Sequence, residues 1–344
     1  MGIRESFNWR SKSLGDGLGL TRRALVGGAL VSTLYGQKPE SSAFDLSLLD
    51  EGVVGNDLFY VRHRAGVPAN ASQADWVLTA GNTKFTYEQL LTLPPRTIPV
   101  TVECAENPVG GGLVGHAEWT GVPLHALLAK AGPPAAFLRL TGADGFSRCL
   151  PAAKALQPDT LIAYSMNGEK LPASHGFPVR AIIPGWYGAD SVKWLHSAEW
   201  LASEDPPRGY QRMVKSILTG VREDGLVREM RVKSAFARPL DGAILTGRRF
   251  LIRGVAWGGA GRVKQVEVSV DGEATWNRAR LSIPASPYAW TQWVHEWQIS
   301  RPGVYRLAVR ATDQRGNTQP AERAGNRVDE YEWDSWQRIA VTVT

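Results

Sequence analysis

The sequence predicts an α+β protein in which a mixed, β-rich domain precedes an all-β sandwich of the immunoglobulin type. The chain has 344 residues, 43% of them hydrophobic, which is enough for two domains with separate cores. Before about position 222, strand-like runs alternate with short stretches of helical spacing and glycine-rich loops. After it, strand-like runs follow one another across short turns without a helical segment, at 250–257, 263–270, 293–299, 304–311 and 339–343.

Local patterns predict the elements of the first part. The apolar run at 58–64 predicts a strand, and two runs around Gly81-Asn82 predict a hairpin. Thr86 and Gln89 have the spacing of a helix capping box. Further strands are predicted at 98–102, 135–141, 161–164 and 179–183, and a helix from about position 124.

The N-terminal segment predicts export. Arg22-Arg23 precedes an apolar run, 24–35, that is too short to cross a bilayer of about 30 Å. This pattern is typical of a twin-arginine signal, either cut or kept as an anchor, and it predicts a periplasmic protein. A chance Arg-Arg pair before an ordinary helix is the alternative. We therefore expect a signal and linker at 1–40, a first domain at 41–222 and a second at 223–344.

Charge and cysteine content exclude several functions. The net charge is +6, but the basic residues are scattered, so we expect no nucleic-acid surface. A moderate positive charge suits a small anionic substrate or an acidic partner. The two cysteines, Cys104 and Cys149, form no Cys-x-x-Cys-His motif for c-type haem and no zinc or iron–sulfur cluster pattern. A disulfide between them is an alternative.

The stretch at 97–121 contains the first candidate site. Alternating Ile98, Val100 and Val102 predict a buried strand, which Cys104 follows before a Gly-Gly-Gly loop. A lone cysteine at a rigid strand end suits a thiolate ligand for a metal. On this pattern alone, a small buried hydrophobe is the alternative.

Polar side chains crowd a second stretch, at 171–195. His175, Arg180, Ser191 and Lys193 lie here among glycine, proline and apolar residues. Such a run can wrap a phosphate with backbone N–H groups, hydroxyls and cations. An ordinary β-rich loop is the alternative.

Two more polar residues come directly after predicted strands. Arg62 follows an apolar run, where a guanidinium needs either a ligand anion or a structural salt bridge. Asp144 lies in a turn, where an aspartate commonly bonds its own backbone.

These stretches together resemble the sulfite oxidase family of molybdenum enzymes, from about Leu58 to the C-terminus. The segment at 103–107, Glu-Cys-Ala-Glu-Asn, is similar to the family's Cys-Ala-Gly-Asn, and a Trp-x-Gly follows at 119–121. The run at 175–195 is close to the family pattern nearly residue for residue. Segments similar to the family's dimerisation domain stand at 256–259, 269–276 and 310–320.

The resemblance implies a molybdenum–molybdopterin cofactor in the first domain. Cys104 would be its single protein ligand to the metal, beside a pterin dithiolene and oxo groups. Arg62, Trp119 and Arg327 would face the substrate. The residues implied to line the cofactor or hold its pterin and phosphate are Tyr60, Val61, Arg62, His63, Asp144, His175, Arg180, Ser191, Val192 and Lys193.

The chain departs from the family pattern near the metal. Glu106 replaces a glycine, and Pro108-Val109 replaces a pair of arginines, so one expected substrate cation is missing. Tyr210 is only a candidate for the family's active-site tyrosine, and the match around Arg327 is offset by about one residue. An ionised Glu106 that points inward would disfavour a doubly charged substrate.

The resemblance implies oxidation of sulfite or a related sulfur anion by oxygen-atom transfer. Because this chain has no haem motif, the electrons are expected to pass to an external c-type cytochrome. We expect a homodimer or a hetero-oligomer with a haem subunit. The alternatives are a reductase of sulfoxides or related oxides in the same family, and a family member without catalysis.

Overall fold

The computed structural model describes residues 41–49, 52–63, 66–69, 75–205, 210–216 and 220–344. The predicted export signal at 1–40 lies outside these residues. Within them, no helix has the length and apolar character needed to cross a membrane.

The first part of the chain combines short strands with a few single-turn helices. The helices are α1 Tyr87–Leu91, α2 Leu124–Leu128 and α3 Ala152–Ala155, with 3₁₀ turns at Leu46–Leu48, Ala173–His175 and Gly188–Asp190. The strands are β1 Ser41–Ser42, β2 Val61–Arg62, β3 Val77–Ala80, β4 Thr83–Thr86, β5 Arg96–Glu103, β6 Val114–Pro123, β7 Phe137–Gly142, β8 Ser147–Pro151, β9 Leu161–Met166, β10 Glu169–Lys170, β11 Arg180–Ile182, β12 Leu195–Leu201, β13 Gln211–Ser216 and β14 Gly220–Leu226.

Two five-stranded sheets organise this part. In one, β10, β9, β6 and β5 are neighbours in that order, and β11 also pairs with β9. In the other, the order is β4, β3, β12, β7 and β8, and β12 runs parallel to β3. The first sheet therefore brings the end of β5, the strand before Cys104, into the same layer as β11, which begins at Arg180.

Several local predictions are confirmed, and one is wrong in extent. The hairpin around Gly81-Asn82 forms between β3 and β4. The capping box also forms, because Thr86 N–H donates to Gln89 Oε1 at 2.9 Å and Gln89 N–H to Thr86 Oγ1 at 3.2 Å. The strand predicted at 58–64 is reduced to Val61–Arg62, because the preceding residues turn back onto the Gly55 carbonyl.

The second part is an all-β sandwich, as predicted. Its sheets have the orders β15-β17-β21-β20 and β16-β23-β22-β18-β19. One core cluster, which includes Ile252, Trp293, Val266, Val309 and Val341, packs between them. The strands are β15 Lys233–Arg238, β16 Ile244–Leu245, β17 Arg249–Trp257, β18 Val263–Ser269, β19 Asn277–Arg278, β20 Arg280–Leu281, β21 Thr291–Gln298, β22 Gly303–Asp313 and β23 Gln337–Val343.

A second core cluster joins the two parts. It contains Val102 and Trp119 from the first part and Val255 and Trp257 from the second. The domain boundary predicted at 222/223 falls within β14. The interface between the parts is therefore packed like a domain interior.

A buried ion pair lies within this interface. Lys233 Nζ donates to Glu103 Oε1 at 2.7 Å, and Trp257 Nε1 donates to Glu103 Oε2 at 2.8 Å. Asn107 Nδ2 also donates to Glu103 Oε1, at 3.0 Å. The Glu103 side chain is fully buried and that of Lys233 is 4% exposed. Each carboxylate oxygen thus has a donor, which a buried charge requires.

Replacement of Lys233 should destabilise the protein. In Lys233→Met the Glu103 carboxylate would stay buried without its cation, at a cost of about 3 kcal/mol in the free energy of unfolding. Denaturant unfolding followed by tryptophan fluorescence measures this change. Lys264→Met, at an exposed position on β18, is the matched control and should shift the unfolding free energy by less than about 0.5 kcal/mol. Equal unfolding curves for the two variants would contradict the role of Lys233 as the stabilising counter-ion of Glu103.

Candidate functional site

A cavity of about 890 Å³ collects most of the predicted site residues. A volume of this size is typical of a site for a large ligand. Its wall includes the predicted residues Tyr60, Arg62, His63, Cys104, Asp144, Arg180, Ser191, Val192 and Lys193.

Cys104 borders this cavity at the end of β5. Its N–H donates to the Leu113 carbonyl at 2.8 Å, and its carbonyl accepts from the Asn107 N–H at 2.9 Å. The sulfur is therefore held by a tight backbone turn. Cys104 and Cys149 are both free, so the disulfide alternative is wrong.

The surroundings of the Cys104 thiol favour its neutral form. Burial raises the pKa of the thiol to about 11, although a hydrogen bond from the Glu106 N–H opposes the shift. Such a thiol ionises only when a strong cation lies next to it, as a bound metal does. Cys104 is thus better suited to metal ligation than to acting as a free nucleophile.

Two cations in the wall are bound to carbonyl groups of the backbone. The buried Arg180 donates to the carbonyls of His175, at 3.0 Å, and Ser191, at 2.9 Å. Lys193 Nζ donates to the Ser174 carbonyl at 2.8 Å and the Arg62 carbonyl at 3.2 Å. Within the described residues neither cation forms an ion pair with a carboxylate. Positive charge of this kind suits the phosphate of a ligand.

The 3₁₀ turn Gly188–Asp190 closes the wall beside these cations. A side chain at Gly188 would place its Cβ 2.7 Å from the Tyr60 hydroxyl, so glycine allows the turn to approach Tyr60. Ser191 Oγ, directly after the turn, accepts from the Ile183 N–H at 3.1 Å. The turn is therefore held by its close approach to Tyr60 at Gly188 and by the hydrogen bond of Ser191 that follows it.

Sequence reasoning missed Arg148, which also borders the cavity. Its Nε donates to Asp190 Oδ1 at 2.7 Å, and both side chains are almost fully buried. Arg148 Nη1 and Asp190 Oδ2 have no hydrogen-bond partner in the described part of the protein. The available signal was an arginine within the largely apolar run 146–151. The unsatisfied nitrogen of Arg148 fits a polar ligand that would complete its hydrogen bonds.

Asp144 has the local role that turn chemistry predicts. Its Oδ1 accepts from the Phe146 N–H at 3.1 Å. It still borders the cavity, so it can also contact a ligand.

Three predicted residues lie outside the cavity wall. Trp119 is fully buried, and the Arg180 guanidinium lies over its ring, 5.1 Å from the centroid. His175 Nε2 lies 3.0 Å from the Asn56 carbonyl oxygen. Val61 pairs with Ser42 in the β1–β2 ladder. In this structure Trp119 contacts Arg180 and does not border the cavity, because packing against the core takes up its ring.

Arg327 also lies outside the cavity wall. It donates to both oxygens of Asp329 at 2.7 Å and to Glu332 Oε2 at 3.0 Å. The Glu332 N–H donates to the Ala105 carbonyl at 2.9 Å, so this ionic cluster contacts the Cys104 loop. The positive charge of Arg327 is balanced by carboxylates five residues away or less.

The wall contains two residues that the sequence left uncertain. Glu106 points inward and forms an ion pair with Arg62. Tyr210 borders the cavity and stacks on Tyr331, with ring centroids 5.3 Å apart. Its role as the family's active-site tyrosine stays a prediction.

Comparison with known proteins defines the class of this site. A family profile described as an oxidoreductase molybdopterin binding domain matches residues 64–210. A second, described as a Mo-co oxidoreductase dimerisation domain, matches residues 225–344. The protein is therefore a molybdopterin-binding oxidoreductase with both domains of that class.

Sequence identity to individual proteins shows which family the chain belongs to. The chain is 31% identical to sulfite oxidase of Gallus gallus, over 83% of this chain and 72% of that protein. It is 30% identical to mitochondrial sulfite oxidase of Mus musculus, of which it spans 60%. It is 31% identical to nitrate reductase [NADH] of Solanum lycopersicum, of which it spans 41%. The chain belongs to the sulfite oxidase family.

A solved structure has the same two-domain architecture. The sulfane dehydrogenase SoxCD from Paracoccus pantotrophus matches with a TM-score of 0.77 and 27% identity. The match covers 88% of this chain and 85% of that one.

Members of this family bind the molybdenum cofactor, and the residues present fit it. Cys104 offers a thiolate for the metal, while Arg180 and Lys193 offer charge for the phosphate. Arg148 adds an unsatisfied nitrogen at the wall, and its ion-pair partner Asp190 lies behind it.

Lys193 should make the unfolding free energy of the cofactor-free protein depend on pH. Burial, with the nearby Arg180, lowers the pKa of Lys193 from 10.5 to about 7. Between these pH values the unfolded chain binds more protons than the folded one, so the unfolding free energy rises with pH by about 1 kcal/mol per pH unit. Lys193→Met should lack this increase. Denaturant unfolding from pH 7 to 9 measures it, and parallel profiles for the two proteins would disprove it.

Proposed function

We propose that this protein oxidises sulfite or a related sulfur anion by oxygen-atom transfer and passes the electrons to an external c-type cytochrome. The observation that carries the proposal is Cys104, held at the edge of a large cavity whose wall also contains Arg180 and Lys193, two cations without a carboxylate partner among the described residues. Relatives named sulfite oxidase and sulfane dehydrogenase support sulfur chemistry.

The protein's own residues would bind and orient. Cys104 would hold the metal, and Arg180 with Lys193 would bind the phosphate. Arg62 and Tyr210, at the wall near Cys104, would contact the substrate. When bound, the cofactor supplies the two-electron redox change and the transfer of oxygen to sulfur. For sulfite the reaction is SO₃²⁻ + H₂O → SO₄²⁻ + 2H⁺ + 2e⁻.

The acceptor and the assembly belong to the same proposal. A c-type haem takes one electron at a time, and this chain has no Cys-x-x-Cys-His to carry one. The net charge of +6 would favour an acidic cytochrome surface. The dimerisation profile supports a homodimer, and the likeness to SoxCD supports a hetero-oligomer, in which we propose a haem subunit as the partner. The twin-arginine pattern supports export to the periplasm.

A second candidate is reduction of sulfoxides or related oxides. The ion pair between Glu106 and Arg62 favours it, because this pair leaves less positive charge for an anion. Sulfite with oxidised cytochrome c, compared with a sulfoxide and a reduced dye, distinguishes the two activities. Absence of molybdenum from matured protein would instead favour a family member without catalysis.

Cys104→Ser should abolish turnover. Loss of residues that merely support a metal ligand typically costs 10- to 100-fold, so loss of the ligand should cost more than about a hundredfold. The measurements are cytochrome c reduction by sulfite and molybdenum content. Cys149→Ser is the matched control and should keep the metal. If Cys104→Ser turns over at the wild-type rate, Cys104 is not the metal ligand.

A further inference from the structure

Glu106 occupies a fixed place beside Cys104. Its N–H donates to the Cys104 sulfur, and the Cys104 carbonyl accepts from the Asn107 N–H at 2.9 Å. Asn107 is itself held by the buried Glu103. The backbone of Glu106 is therefore fixed next to Cys104, and only its side chain is able to rotate.

Glu106 also neutralises Arg62, the arginine proposed to contact the substrate. The pair lies in the cavity wall, where the Arg62 side chain is 48% exposed and that of Glu106 is 29% exposed. Although burial opposes it, the Glu106 carboxylate raises the pKa of Arg62. An anion that enters from solvent must therefore share Arg62 with a carboxylate already present.

The other described cations near the cavity are already engaged. In the wall, Arg148 pairs with Asp190, and Arg139 pairs with Glu199 and Asp205. Arg327 is held by Asp329 and Glu332. Arg180 and Lys193 are the candidates for the cofactor phosphate. Pro108-Val109, after the Cys104 turn, adds no charge. Among the described residues, the Arg62–Glu106 pair thus presents no net charge to a substrate.

A carboxylate beside the anion site discriminates by charge. The repulsion between like charges is proportional to the product of the two charges, and solvent screening reduces it. A doubly charged substrate experiences this repulsion twice. A singly charged one experiences it once and can still accept a hydrogen bond from Arg62.

We propose that Glu106 determines specificity by selecting a sulfur monoanion, of the organic sulfinate class, over the sulfite dianion. A sulfinate has the lone pair on sulfur that oxygen transfer needs and one negative charge. Its oxidation is R–SO₂⁻ + H₂O → R–SO₃⁻ + 2H⁺ + 2e⁻, with the electrons passing to the acceptor already named. This inference rests on the proposed function and narrows its substrate.

Anion binding to the molybdenum-loaded protein tests the proposal. Sulfate and methanesulfonate share a tetrahedral head but differ by one charge, and both can be titrated by calorimetry without turnover. In Glu106→Gln, sulfate should bind about tenfold tighter and methanesulfonate about threefold tighter, because the interaction scales with charge. Glu88→Gln, an exposed position on α1, is the control and should change neither.

A double variant tests whether Arg62 is the cation that Glu106 neutralises. In Arg62→Gln/Glu106→Gln the gain in sulfate affinity should disappear, because no guanidinium is left to receive the anion. Turnover should follow binding: the wild type should prefer methanesulfinate to sulfite, and Glu106→Gln should shift that preference towards sulfite. Melting curves and a second variant, Glu106→Gly, separate this effect from misfolding.

Equal sulfate affinity in the wild type and both Glu106 variants would overturn the proposal, as would a gain that survives loss of Arg62. Failure of the proposed function gives a different result. In that case fully loaded protein oxidises neither methanesulfinate nor sulfite, while the calorimetric comparison still decides whether Glu106 controls anion charge.

Discussion

The site depends on the buried carboxylate of Glu103. Donors from Asn107, Lys233 and Trp257 all bond to this one group, and two of them belong to the second domain. Because Glu103 directly precedes Cys104, these bonds hold the backbone that aims the sulfur into the cavity. The β-sandwich therefore supports the candidate metal ligand, and it is also a candidate surface for association.

Four cations that the sequence placed in the site divide into two groups. Arg180 and Lys193 bond to backbone carbonyls, which leaves their charge for a ligand. Arg62 and Arg327 instead pair with carboxylates of this chain. Arginine thus has its charge available to a ligand in one place and neutralised in another, and the difference comes from the neighbours that folding supplies.

Much of the architecture could be read from local patterns. Three predicted features form as expected: the capping box at Thr86, the hairpin around Gly81-Asn82 and the closely spaced strands of the sandwich. In these places backbone preference and packing favour the same structure. The strand predicted at 58–64 is shorter than expected, because the N–H groups of Leu58 and Phe59 donate to the Gly55 carbonyl and are not available for strand pairing. The site motifs at 103–107 and 175–195 pointed to the cavity, because they lie at the ends of strands in one sheet.

The sequence by itself determined the family, the cofactor class and the domain order, because long motifs with special residues at fixed spacing have few alternative meanings. Only the tertiary structure decided how the charges are used. It paired Arg62 with Glu106 across 44 positions of chain and Arg148 with Asp190 across 42. It also buried Trp119 against Arg180. Such contacts depend on how distant strands pack, and no local pattern contains that information.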